Sequence, residues 1–204
     1  MTRILKGNDT YIIGIVRIWC LEGNMDIAIF HELRQKVINA GYGDEIIWQE
    51  SAAEPDCADE FMWQYIWVVI SSGMKNQIAR IIEQRIVEAY NNGVSIDTAF
   101  HHKGKVKAIE YMINNHDDIF DAYLEAQDRL EYLNSLPYIG DITKYHLAKN
   151  LGEDVVKPDR HLVRISKYYD TSPSELCQKL SKETGLRIGT VDLILWRAGN
   201  LGYV

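Results

Sequence analysis

The chain has 204 residues, 47% of them hydrophobic and 25% charged, which supplies a sizeable core and excludes an intrinsically disordered protein. Its net charge of -7 and pI near 5.4 exclude indiscriminate attachment to nucleic acid through overall charge. With no apolar span of membrane length and no charged-then-apolar leader in the sequence, the expectation is a soluble, cytoplasmic protein.

In chain order, the apolar segment 11–21 is compatible with strand or helix. Residues 26–40 have helical periodicity, and 41–59 are turn-rich and polar. The run 59–70, DEFMWQYIWVVI, is almost continuously apolar and is expected to form a buried central helix. After the turn 71–75, residues 76–90 read as a strongly amphipathic helix with Ile78, Ile81, Ile82, Ile86 and Val87 on one side. Helical patterns recur at 103–114, 117–126 and 127–136, and again at 172–184 and 190–198. The last two are expected to be capped by Ser172 or Ser174 and by Thr190, with Gly199 as a stop. No internal repeat, low-complexity tract or long linker interrupts this pattern.

The segment 136–165, LPYIGDITKYHLAKNLGEDVVKPDRHLVRI, is the most specific. Pro137 stops one helix, Gly140 supplies the flexible residue of a tight turn, and Asp141 or Thr143 caps the next helix. Two helices meeting at so short a hairpin expose backbone amides at the mouth of the second, which suits an anion such as phosphate. Tyr145, Leu147 and Leu151 give that helix an apolar face and Gly152 ends it. Pro158 then restarts helix, which places Asp159 at a second helix mouth. Ordinary cap and turn preferences explain each residue singly, but not their order and spacing together.

These residues resemble the helix-hairpin-helix superfamily of base-excision-repair DNA glycosylases, whose signature ends in a Gly/Pro-rich loop and an aspartate. The literal motif covers about thirty residues, and compatible helical patterning runs over most of the chain. The resemblance implies an all-α fold of two helical lobes flanking a DNA-binding cleft. Residues 59–152 would form the middle lobe with the hairpin, and 1–58 would join 153–204 in the second. It implies that Asp159 is the catalytic carboxylate, stabilising positive charge on the sugar as the base leaves. Tyr138, Ile139, Gly140, Ile142, Thr143, Lys144, Lys149 and Arg164 become the expected DNA contacts. The expected partner is duplex DNA carrying a damaged or mismatched base, bound by a monomer.

Members that also cut the strand carry a lysine two residues after the second hairpin glycine. That position holds Ile142 here, and Lys144 lies about 200° further around a helix. The implied enzyme is therefore monofunctional, using water and leaving an abasic site, with Lys144 as the fallback amine. Two further departures are Tyr138, where the family has the first hairpin glycine, and Lys157, in place of the glycine before Pro158. Met74, after the first long buried helix of the middle lobe, is the candidate wedge that fills the gap left by a flipped base, although an ordinary turn explains it equally well. Trp63, Trp67 and Tyr138 are the candidate base-pocket aromatics; Tyr65 is a further suspect.

Cys20, Cys57 and Cys177 are scattered, without disulfide or CxxC spacing, so free thiols and no iron–sulfur cluster are expected. The six histidines form no paired ligand pattern. His101 and His102 read as solvent-facing, and His161 as an interior hydrogen-bonding residue; no metal held by side chains is expected. The resemblance allows a monovalent cation on the hairpin carbonyls from Tyr138 to Gly140. Between residues 136 and 167, Lys144, Lys149, Lys157, Arg160, Arg164 and Lys167 outnumber Asp141, Glu153, Asp154 and Asp159, giving the segment a local positive balance within an acidic chain. Two other functions fit the same motif: a bifunctional glycosylase and abasic-site lyase acting on oxidised guanine, and a non-catalytic DNA-binding module.

Overall fold

The computed structural model describes residues 25–204; the segment 11–21 and Cys20 lie outside the described residues. All regular structure among the described residues is helical. The order is α1 (Ile27–Val37), a π turn (Ile38–Tyr42), α2 (Gly43–Glu50), α3 (Ala58–Ser71), α4 (Asn76–Asn91) and a 3-10 turn (Ile96–Thr98). It continues with α5 (Lys103–Glu125), α6 (Arg129–Ser135), α7 (Thr143–Asn150), α8 (Arg160–Tyr168), α9 (Pro173–Thr184) and α10 (Ile188–Asn200).

Two hydrophobic cores organise these helices. The first is built on α3, whose Phe61, Met62, Tyr65 and Ile66 are fully buried, and it draws on residues 58–155. Burying a side chain of this size stabilises by roughly 2 kcal/mol, and α3 does so along most of its surface against α4, α5 and α7. The second core takes residues 25–46 together with 156–204, because the chain returns and α10 packs on α1, α2, α8 and α9. The passage between the cores is abrupt: Val155 packs on the first and Val156 on the second.

Several elements differ from expectation. Residues 41–59 are not all turn, since they contain α2. The π turn and Gly41, at φ 91°, redirect the chain so that Ile46 and Gln49 face inward. Eight residues with one buried apolar side chain are too short to show periodicity. The patterns at 103–114 and 117–126 are one continuous helix, α5. The polar Asn114–Asn115–His116 stretch between them is only a wetter turn, as Met112 and Ile119 stay on the buried stripe. On α4 the core-facing stripe is Ala79, Ile82, Ile86 and Ala89, while Ile78 and Ile81 are about half exposed at 49% and 51%. Thr190 does not cap α10. It lies inside the helix, buried, and its hydroxyl finds no partner among the described residues. Gly199 does not stop α10 either. A Cβ there would stand 3.2 Å from His161 Cβ, so glycine lets α8 approach closely. Ser172, not Ser174, caps α9 in a full capping box with Glu175.

Polar ties from α10 hold the segment that leads to the second core. The Arg187 guanidinium donates to the carbonyls of Ala52 and Gly152, and its backbone amide donates to Glu50. Gly189 N donates to Asp154 Oδ1 at 2.8 Å. Gly152, at φ 84°, lies so close to the backbone of Ala53 that an added Cβ would come within 2.4 Å of its carbonyl carbon. The loop 150–159 is thereby fixed on three sides.

Candidate functional site

The hairpin between α6 and α7 is set from beneath by α3. Tyr65 is fully buried and its hydroxyl donates to Pro137 O, so it anchors the turn and offers no face to a flipped base. Ile139 N donates to Leu136 O, and Lys144 N to Gly140 O. Tyr138 adopts φ 65°, the left-handed conformation for which glycine is preferred. Its ring, 44% exposed, stands edge-on to His102 with centroids 5.7 Å apart. It also covers Gly104, where a Cβ would meet Tyr138 Cε2 at 3.0 Å. His102 is thus engaged, its Nδ1 accepting from Lys105 N at the start of α5.

Neither Asp141 nor Thr143 caps α7. The N-cap is Ile142, without a side-chain hydrogen bond. Thr143 Oγ1 turns back to accept from Gly140 N at 2.7 Å, and the Asp141 carboxylate accepts from Asn134 of α6. The amides of Asp141, Ile142 and Thr143 consequently find no acceptor among the described residues. This is the unsatisfied end of a helix, with the amide geometry and dipole sign that favour an anion. Ile142 itself is 42% exposed beside it.

Asp159 caps α8. Its Oδ1 accepts from His161 N (2.9 Å) and Leu162 N (3.1 Å), while Oδ2 has no partner among the described residues. The helix fixes one carboxylate oxygen and leaves the other available. Asp159 lies three residues beyond Val156, at the point where the chain has just crossed from the first core to the second.

Other expected site residues are distributed differently. Lys144 is buried on the α6–α7 seam and its ammonium is held by Glu131 at 2.6 Å, which raises its pKa. Lys149 cannot reach an external phosphate: it is buried, ion-paired to Asp192 of α10, and points into the molecule. Arg164 is exposed and donates to Val204 O at 2.7 Å. Met74 is partly buried against the first core in the α3–α4 turn. Trp63 stacks edge-on with Tyr90, and Trp67 carries the Arg80 guanidinium 4.0 Å above its ring, so both half-buried tryptophans pack against α4. Tyr145 sits beside Lys144, away from the buried Leu147–Leu151 stripe. His161 packs against Gly199, and Cys177 is buried, which raises its thiol pKa.

Asp192, Gln49 and His146, which motif reasoning passed over, neighbour Lys149 or Lys157. Asp192 is 1% exposed and receives both the Lys149 ammonium and the backbone amide of Lys157, the latter at 3.3 Å. Burial raises its pKa, and Lys149 opposes that rise. Gln49 of α2 completes the junction by donating to Lys149 O. Lys157 is partly buried, and its ammonium makes no hydrogen bond or ion pair among the described residues. Burial pushes its pKa down; the Asp159 carboxylate opposes this, Lys149 adds to it, and Asp192 opposes it. His146 of α7 is held well below the ordinary histidine range by burial and then by Lys157 and Lys149. A buried Asp four residues into a helix has no distinctive spacing. The departure from glycine at 157 was the one visible signal.

Among the described residues no three His, Cys, Asp or Glu side chains converge as a metal site, and no helix is long and apolar enough to cross a membrane. Comparison of the chain with family models, with curated proteins and with solved structures gives no match.

Proposed function

We propose that the protein is a DNA glycosylase of base excision repair, with a helix-hairpin-helix glycosylase fold, that hydrolyses the N-glycosidic bond of a damaged or mismatched base flipped from duplex DNA. The observation that carries this assignment is the pairing of two helix mouths along one short segment. The α7 mouth offers unsatisfied amides, and the α8 mouth offers a carboxylate with one oxygen pinned and one available.

The roles follow from charge. The α7 amides hold a backbone phosphate beside the flipped nucleotide and fix its register, with Tyr138 and Ile142 as exposed apolar neighbours. As the base departs, positive charge builds on the sugar ring, and Asp159 Oδ2 faces it in a site from which duplex DNA excludes water. One water adds to C1′ as the C1′–N bond breaks, leaving an abasic site. The hairpin supplies no amine to replace that water, because Ile142 stands at the lyase position and Lys144 is tied to Glu131.

Asp159→Asn tests the assignment, because asparagine retains a cap oxygen and removes the charge. Base release is expected to fall by on the order of a thousandfold while the melting temperature stays close to the parent's. Unchanged base release would remove Asp159 from the chemistry and overturn this mechanism, and no base release by either protein would leave a binding module as the better description.

A further inference from the structure

Both lysines of the hairpin helix are committed inside the protein, Lys144 to Glu131 and Lys149 to Asp192, so the cations that meet a polyanion have to come from elsewhere. They collect at the start of α5. Two segments distant in the chain are tied there. The Lys105 ammonium donates to Ile70 O at 2.9 Å and to Ser72 O at 2.7 Å, which fixes the α3–α4 turn. The ring of Tyr138, from the hairpin, lies over Gly104 and edge-on to His102. The three stretches so joined, 71–79, 98–109 and 134–140, carry Lys75, Lys103, Lys105 and Lys107 with His101 and His102, and contain no Asp or Glu, in a chain whose net charge is -7. Lys75, Lys103 and Lys107 are exposed and make no ion pair among the described residues. Lys103 and Lys107, one helical turn apart, share a face of α5.

His102 sets the direction of the Tyr138 hydroxyl. Its Nδ1 accepts from Lys105 N at 3.3 Å, so the neutral ring carries its proton on Nε2, which faces Tyr138 Oη at 3.3 Å and donates to it. The tyrosine's own proton is thereby turned toward an acceptor outside the protein. We propose that the start of α5 is a binding surface for the phosphate backbone of duplex DNA, with Tyr138 Oη as hydrogen-bond donor, Lys103 and Lys107 as cations, and His102 as the residue that positions the tyrosine. Exposed cations without neighbouring carboxylates in their own segments attract a polyanion, and an outward hydroxyl proton suits a phosphate oxygen. The proposal deepens the glycosylase reading and rests on it for the identity of the polyanion. Tyr138 then serves the strand rather than the flipped base. Phosphate contacts carry no base information, so this surface sets the affinity and register of the duplex and leaves the choice of lesion to other residues.

The test measures binding of the full chain to an undamaged labelled duplex by fluorescence anisotropy across a salt series. Tyr138→Phe keeps the ring on Gly104 and removes only the hydroxyl; it should weaken binding by about tenfold. Lys103→Gln should weaken binding and reduce the slope of log affinity against log salt by about 1. Lys182→Gln, exposed on α9 in the second core, should change neither. His102→Asn keeps a side chain suited to cap α5 but too short to reach Tyr138 Oη. Its loss of affinity should vanish in the Tyr138→Phe background, which a merely structural role would not produce; an equal loss in both backgrounds overturns the positioning role. Parent affinity in Tyr138→Phe or in Lys103→Gln, or a loss in Lys182→Gln as large as that in Lys103→Gln, overturns the surface itself. Weakened binding in these variants, with no base released from any damaged duplex by the parent, would sink the glycosylase assignment and leave the surface standing. Base release by the parent, with affinity unchanged in the variants, would do the reverse.

Discussion

At the residue scale, the decisive groups are those whose burial and partners disagree with their chemistry. Tyr138 holds a left-handed backbone at a cost of about 1–2 kcal/mol, offset by packing of its ring on His102 and Gly104. Lys149 and Asp192 are both taken out of water, 6% and 2% exposed at the side chain. Removing one partner strands the other charge. Asp192→Leu alone should therefore destabilise by about 3–5 kcal/mol, whereas Lys149→Met with Asp192→Leu should recover most of that loss. Denaturant melts of the parent, the single variant and the double variant measure this directly. A double variant no better than the single one would show that the pair does not act as a unit. The aspartate at 159 was legible because Pro-Asp at a helix start is a local signal. The Lys149–Asp192 junction was not, because it joins residues 43 positions apart, and nothing in either neighbourhood announces the other.

At the scale of elements, helices with long uninterrupted apolar stripes were readable, and short or bent ones were not. The run at 59–70 became α3 almost residue for residue, since a helix apolar on most sides must be central. The α2 helix escaped detection because a π turn and one glycine at positive φ, rather than a hydrophobic period, set its direction. The face of α4 was misjudged for a related reason. Five apolar positions span a wider arc than one packed stripe, and α3 and the 3-10 turn choose which part is covered. Two predictions belong here. Gly152→Ala should destabilise by roughly 3 kcal/mol or more, combining a left-handed backbone with a clash against the Ala53–Glu54 backbone that no rotamer relieves. A thermal melt within experimental error of the parent would contradict that packing. Ser172→Ala should lower stability at neutral pH by about 1 kcal/mol. Its partner Glu175 is held below the usual carboxylate range by hydrogen bonds from the Ser172 hydroxyl, the Ser172 amide and the Thr171 hydroxyl. A depressed carboxylate contributes its stability above its unfolded value and loses it on acidification. The gap between parent and variant should therefore narrow as pH falls below about 4.5. A gap that widens with acid would reverse the sign of this coupling.

At the scale of the whole molecule, two cores meet where the chain passes from Val155 to Val156, and Asp159 follows that crossing by three residues. Periodicity predicts helices but not their pairing. The packing of α1 and α2 on α10 joins segments far apart in the chain, which no local pattern announces. The net charge of -7 leaves nucleic-acid binding to a local surface, so few phosphates should be contacted and affinity for duplex should be modest, falling only gently with salt. The measurement that bears most directly on the central claim is strand cleavage of labelled duplexes, each carrying an alkylated, oxidised, deaminated or mismatched base. Parent and Asp159→Asn would be compared after alkali, which breaks the strand at every abasic site. Alkali-revealed cleavage at one class of lesion, lost in Asp159→Asn, is the predicted result. No cleavage at any lesion, or equal cleavage by the two proteins, would contradict the assignment.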